Sequence, residues 1–250
     1  MINLWLLRAV WISSPIIVLA ALLTGMDVQW LYGWGWALFV YMVGQGIGLH
    51  RYFSHRGFVT SKFWEVFLTF MSVPAALGSP ISWAALHRYH HAVSDTEVDS
   101  ISPNVNNWFS IYFGTYLGSL EGLPSCKDLV RKPLQVFVHR NYMALFVAWT
   151  CIVFLIGGIP AVVGFVFLPV AWIYNVTHIS TILIHIKLGP FHYRNHETPD
   201  HSVNSWPVSI LTLGDGWHNN HHAHPRQWQH GEKWWEFDIT KYFIMLIRKT

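Results

Sequence analysis

The chain has 250 residues, 52% hydrophobic and 16% aromatic, and only 12% carry a charge, about half the share of an ordinary soluble domain. This balance excludes a well-solvated globular protein, and fifteen tryptophans suit rings placed at membrane–water interfaces. A formal charge of +3 with scattered basic residues excludes a nucleic-acid partner, and Cys126 and Cys151 make neither a disulfide framework nor a C-x-x-C zinc motif.

Met1–Ser14 lacks a small-residue cleavage site and reads as part of the mature chain. Apolar stretches over about 9–23 and 30–49 each approach the roughly 20 residues that cross a bilayer. Thr24–Gln29 between them carries Asp27 and no Lys or Arg, which predicts a loop on the outer side. The second stretch runs into His50 and His55, and a spacing of five does not share one α-helical face, so the helix is expected to end or bend there. Residues 63–85 are apolar but hold Glu65 and are interrupted by Pro74, Gly78, Ser79 and Pro80, which predicts a broken, interfacial or re-entrant segment. His87, His90 and His91 follow, then the acidic loop Ser94–Pro103. Asn106–Leu120 is aromatic and of mixed polarity, as in a helix lying at the interface. Cys126–Asn141 carries Lys127, Arg131, Lys132 and Arg140, marking the cytosolic side.

A second pair of spans is expected over about 142–156 and 161–184, joined by Gly157–Pro160 without Lys or Arg. From His185 the chain is polar and rich in histidine, apart from the apolar Val208–Leu213 and a Phe237–Ile247 stretch suited to lie along the surface. All 16 Lys and Arg fall at or beyond the same ends of the four spans, as do the histidine clusters. The prediction is an all-α integral-membrane fold, a single domain over residues 1–250. It has four transmembrane helices, both termini inside, and a cytosolic histidine-rich cap holding a dinuclear metal site.

The metal prediction rests on repetition. Gly214–Pro225 places His218, His221 and His222 at i, i+3 and i+4, one face of a helix. His87, His90 and His91 repeat that spacing, and His50 with His55 adds a third cluster. Imidazole suits zinc, copper, iron and nickel, but a zinc site takes three or four protein ligands and eight histidines exceed that. Haem needs one or two axial ligands, and the E-x-x-H pairs of soluble di-iron bundles are absent. A dinuclear metal held almost wholly by imidazole remains.

These clusters with their flanks (GLHRYFSHRGF, HRYHHAVSDTEVD, HSVNSW and GDGWHNNHHAHP) resemble the histidine boxes of the integral-membrane fatty acid desaturases, most closely the delta-9 acyl (stearoyl-CoA type) branch, from about Gly44 to Trp234. The resemblance implies two iron ions and an enzyme that uses O2 and two electrons to remove two hydrogens from neighbouring CH2 groups. A cis double bond, delta-9 by the resemblance, would result. The ligands it implies are His50, His55, His87, His90, His91, His218, His221 and His222, with His185 as a ninth after the last span. Thr181 stands where the family has an asparagine that holds a water near one iron, and Asp99–Ser102 departs from the family's DPHS. Asp95, Glu97, Asp99 and Asp215 are placed in sequence to orient ligand imidazoles from behind. The implied partners are a fatty acyl chain on CoA, acyl-carrier protein or a lipid, an external electron donor such as ferredoxin or cytochrome b5, and membrane lipid.

A fatty acid, sterol or alkane hydroxylase shares the boxes and the O2 chemistry, and spacing alone separates it poorly. A metal transporter would want polar residues along its spans, which are nearly free of charge. His139, His178, His192, His196, His201, His224 and His230 match no cluster and read as surface or satisfied histidines.

Overall fold

The structure is a computed structural model that describes residues 4–114 and 126–249. Helix α1 (Leu4–Leu23) is followed by α2 (Trp30–Val40), which passes without a break into a π-helical stretch, Tyr41–Ser54. Helix α3 (Lys62–Ala75) starts at Ser61, whose hydroxyl accepts from the Trp64 N–H. Helix α4 (Pro80–Val93) starts at Ser79, which accepts from Ser82 N–H, with Pro80 in the first turn where its missing donor costs nothing. Short helices α5 (Trp108–Tyr112), α6 (Lys127–Val130) and α7 (Pro133–Arg140) lead to α8 (Tyr142–Val162), a π-turn over Val163–Phe167, and α9 (Leu168–Leu183). Two-residue strands β1 (His192–Tyr193) and β2 (Asn204–Ser205) pair antiparallel, and α10 (Trp206–Leu211), α11 (His218–Ala223) and α12 (Ile239–Ile247) complete the order.

One buried apolar cluster joins Leu7 and Trp11 of α1 to Ile47, Leu49 and Phe53 of the π-stretch, Leu68 and Met71 of α3, Ile173 and Tyr174 of α9 and Ile244 of α12. The π-stretch and α3 approach so closely that a Cβ on Gly44 would lie 2.5 Å from the Met71 carbonyl oxygen. Around this core the outward faces stay apolar: Ile16, Leu19 and Leu23 on α1, and Ile152, Leu155 and Ile156 on α8, are exposed. This integral-membrane, largely helical architecture keeps its backbone hydrogen bonds inside helices, as a lipid setting requires.

Fewer spans are seen than the four expected. Among the described residues, two helices are long and apolar enough to cross a membrane, Trp5–Leu23 and Tyr142–Leu183, or three if the bent pair α3–α4 is one span. The two late stretches share one apolar run, Tyr142–Leu183, of 42 residues, and non-helical backbone at Gly157 and Gly158 kinks it into two helices. The 30–49 stretch is divided between an 11-residue α-helix and the π-stretch. The break expected within 63–85 is present: α3 and α4 meet at 83°, with Ala76 (φ 53°) and Gly78 (φ 100°) in left-handed conformation between them. Of the helix expected over Asn106–Leu120 only Trp108–Tyr112 is helical among the described residues, and 115–120 lie outside them.

The helix ends inside this cluster, as expected, with His55 as its cap, but it does not stop at His50. It stays helical through Ser54 by widening to π geometry, in which residue i+5 bonds back to residue i, and the His55 N–H donates to the His50 carbonyl at 3.2 Å. The spacing that no α-helical face accommodates is one π-turn. The two rings lie 5.0 Å apart.

Candidate metal centre

The three elements carrying the clusters converge. Helix α4 turns His87 and His91 to one side and His90 to the other; α11 likewise divides His221 from His218 and His222. Two groups of ligand atoms result, His50, His55, His87 and His221, and His90, His185, His218 and His222, with the atoms of each group within 4.8 Å of one another. In the first, His50 Nε2 lies 3.1 Å from His221 Nε2, and His55 Nε2 lies 2.7 Å from His87 Nε2. His91 belongs beside it, with Nε2 3.2 Å from His87 Nε2 and 3.0 Å from His221 Nε2. In the second, His185 Nε2 is 3.1 Å from His218 Nε2. The rings of His91 and His222, one on each side, stack at 4.3 Å.

Carboxylates stand behind the second group. His90 Nδ1 is 2.9 Å from Asp99, His185 Nδ1 is 2.9 Å from Asp95, and His222 Nδ1 is 2.7 Å from Asp200. Each accepts the Nδ1 proton, which fixes the tautomer and leaves the Nε2 lone pair facing inward. Burial pushes Asp95, Asp99 and Asp200 up, but the bonds from these histidines outweigh it and hold all three below the usual carboxylate range. Burial also brings His222 down to about 4 against the opposing Asp200 bond, and lowers His218 and His221 well below an ordinary histidine.

His185 and His222, whose Nδ1 protons go to Asp95 and Asp200, turn bare Nε2 lone pairs inward, and His222 Nε2 is buried without a partner, an unfavourable arrangement until a cation sits beside it. The residues present therefore fit a metal pair.

Asp215 serves the first group less directly: one oxygen is 3.5 Å from His50 Nδ1, and the other accepts from Arg51 at 2.8 Å. Arg51 is fully buried and also donates to Asp238 at 2.8 Å. Glu97, in the same loop as Asp95 and Asp99, is exposed and belongs to neither group. The Thr181 hydroxyl donates to the Thr177 carbonyl at 2.9 Å, and the residue lines the neighbouring cavity. His178, the rival to His185, bonds the Tyr174 carbonyl through Nδ1 at 2.9 Å, packs against Trp11 and joins neither group.

Four participants escape a reading of the sequence. Asp200 directly precedes the HSVNSW segment, and an acid beside a motif was its one signal. His230 is buried, not a surface histidine: its ring lies 4.4 Å from that of His221, and its Nδ1 is 3.3 Å from Asp215. Arg51 with Asp238 joins residues 187 apart, and no local pattern announces that pair.

Between α4, α9 and α10 a cavity opens onto His50, His87 and His218, with Trp83, Leu86, Ile184 and Val208 among its walls. Ser180 and Val208 also line an apolar groove whose other walls include Leu19, Leu22, Trp34 and Leu211.

Two groups of buried imidazoles backed by carboxylates, at the edge of an apolar helical assembly, define a membrane polyhistidine metalloprotein. The sequence matches the model of the fatty acid desaturases over residues 28–238, and the chain belongs to that family, whose members are metal-dependent oxidoreductases that act on fatty acyl chains with O2. It is 34% identical over 223 residues to an sn-1 stearoyl-lipid 9-desaturase of Anabaena variabilis, covering 86% of this chain and 80% of that one. A probable chloroplastic lipid desaturase of Arabidopsis thaliana is 34% identical over 236 residues, covering 92% and 64%. An sn-2 palmitoyl-lipid 9-desaturase of Nostoc sp. is 30% identical over 228 residues, covering 88% and 76%. The chain thus spans roughly two thirds to four fifths of the length of these relatives.

Proposed function

We propose that this chain is a di-iron acyl-lipid desaturase that places a cis double bond at the delta-9 position of a saturated chain esterified to a membrane lipid. The observation that carries the reading is the pairing of two inward-facing imidazole groups beside an apolar cavity. His50, His55, His87, His91 and His221 would hold one iron, and His90, His185, His218 and His222 the other. Bound there, the irons would supply the power to oxidise an unactivated CH2–CH2 pair with O2 and two electrons from an external donor such as ferredoxin or cytochrome b5. Asp95, Asp99 and Asp200 keep the ligand rings in one tautomer. The walls at Trp83, Leu86 and Val208 would exclude water and fix which carbon pair faces the centre, since orientation governs which hydrogens leave.

The lipid-linked substrate is supported by the wall that Ser180 and Val208 share between the cavity and the outer groove, a lateral path for a chain whose headgroup stays in the membrane. The names of the Anabaena and Nostoc relatives point the same way. An acyl-CoA substrate is the second reading, because acyl-CoA desaturases of Anemone leveillei are also 30–31% identical. The topology we infer has four crossings, the last two meeting at Gly157–Gly158, with both termini and the metal centre on the cytosolic side.

Expression in a host lacking this activity, with lipid classes separated and double bonds located by mass spectrometry, tests the reading. A new delta-9 bond that appears first in intact glycerolipid, only with O2 and an electron source, supports it. Appearance first in acyl-CoA would favour the second reading, and a chiefly hydroxylated product would overturn desaturation. For topology, on a background in which the native Cys151 is replaced, cysteines at Met26 and Ile159 should react with an impermeant thiol reagent outside sealed cells. Labelling at Ser94 would overturn the arrangement.

A further inference from the structure

A second set of metal-ligating side chains meets on the outer side of α11, sharing no residue with the two imidazole groups. His196, in the loop after β1, places Nε2 2.7 Å from Oε2 of Glu232. His224, at the end of α11, places Nε2 3.9 Å from Oε1 of the same carboxylate. The two imidazoles stand almost perpendicular, ring centres 4.9 Å apart, and the three donor atoms lie within 4.8 Å of one another. Each side chain is between a quarter and half exposed, so an ion can arrive from solvent and keep water ligands.

The scaffold behind them is rigid. The N–H groups of Asn195 and His196 both donate to Oδ1 of the fully buried Asn219, whose Nδ2 donates back to the His196 carbonyl. Glu232 is held through its N–H, which donates to buried Glu236. An ion pair of His196 with Glu232 would need only one imidazole; the second, turned toward the same carboxylate, is what a cation would use.

We propose that His196, His224 and Glu232 bind one divalent transition-metal ion, zinc by the chemistry of the donors. Two imidazole nitrogens and a carboxylate oxygen suit borderline ions, whereas calcium and magnesium take oxygen alone. Zinc bonds of about 2.0–2.2 Å place tetrahedral ligand atoms roughly 3.4 Å apart, between the two observed separations. Three protein ligands leave a position for water, and the ion would tie the loop after β1 to the segment after α11, bracing the helix that carries His218, His221 and His222.

Equilibrium dialysis of the purified, iron-loaded protein in detergent against micromolar zinc, with iron and zinc counted by mass spectrometry, provides the test. The expected result is one zinc per chain without loss of iron, a zinc-dependent rise in melting temperature, and visible cobalt(II) bands when cobalt replaces zinc. Glu232→Gln and, independently, His224→Gln should keep the iron and lose the zinc, the thermal shift and the cobalt bands. No zinc retained by the unaltered protein, or as much zinc in the two variants as in the unaltered protein, would overturn the proposal and leave a His196–Glu232 ion pair only.

Discussion

Asp200 holds His222 from behind: its Oδ2 lies 2.7 Å from Nδ1 of a ring whose Nε2 is buried among the other ligand atoms of the second group. Partners of this kind set ligand orientation and basicity, and their loss costs about 10–100-fold in metal affinity. Asp200→Asn keeps the shape and removes the charge. Iron retention under competing chelator should fall by that order, at one of the two irons, while the helical signal in circular dichroism stays unchanged.

His185 and His178 lie on the same helical approach, seven residues apart, and only His185 reaches the ligand atoms, with Nε2 3.1 Å from His218 and Nδ1 on Asp95. His185→Ala should lose one iron and nearly all activity. His178→Ala should keep both irons, because its nitrogen is already engaged by the Tyr174 carbonyl; its place in the cavity wall makes altered product distribution the effect to look for. Iron counts in the reverse order would reassign the ninth ligand.

Arg51 is fully buried between Asp215 and Asp238. Breaking a buried pair by removing one partner costs about 3–5 kcal/mol, since the remaining charge is left uncompensated. Arg51→Met should therefore lower the melting temperature sharply in detergent. A variant melting within a degree or two of the parent would show that the two carboxylates find other partners or protonate cheaply.

Acid should act on the metal-free protein through its histidines. His222 and His230 are both held near about 4 by burial, although their carboxylate partners oppose the shift. An unfolded histidine takes its proton near 6.5, so the unfolded chain binds more protons as pH falls from there toward 4. The stability these neutral rings contribute is whole above pH 6.5 and is lost through that window, on the order of 2 kcal/mol per ring at pH 5. Denaturant titrations at pH 7.5 and 5 measure it, and an equal midpoint at both would contradict the burial argument.

How much of this was legible follows from where each signal resides. The clusters on α4 and α11 could be read because i, i+3, i+4 spacing is a local property of an α-helix, and both segments are α-helical. His50 and His55 were legible as a cluster but not as one face of a helix, because the α-helical spacing rule does not cover a π-turn, whose period is i, i+5. Asp95 and Asp99 could be anticipated from their nearness to His91. Asp200 and His230 reach the centre through the fold of the chain after α9, and a lone residue at a distance carries no spacing. The span count was harder to read, because helix type changes at Val40 and the backbone breaks at Gly157–Gly158, and hydropathy displays neither.

The π-winding at Tyr41–Ser54 also makes helix type and metal occupancy parts of one equilibrium. Five residues of α-helix turn through about 500°, so rewinding this segment as α would swing His55 roughly 140° away from the direction of His50. Any metal bound across both rings thus favours the wider winding by the difference between its affinities for the two forms. Amide exchange at His55, whose N–H closes a π-turn on the His50 carbonyl, should slow on metal loading more than amides in the α-helical Trp30–Val40 of the same run.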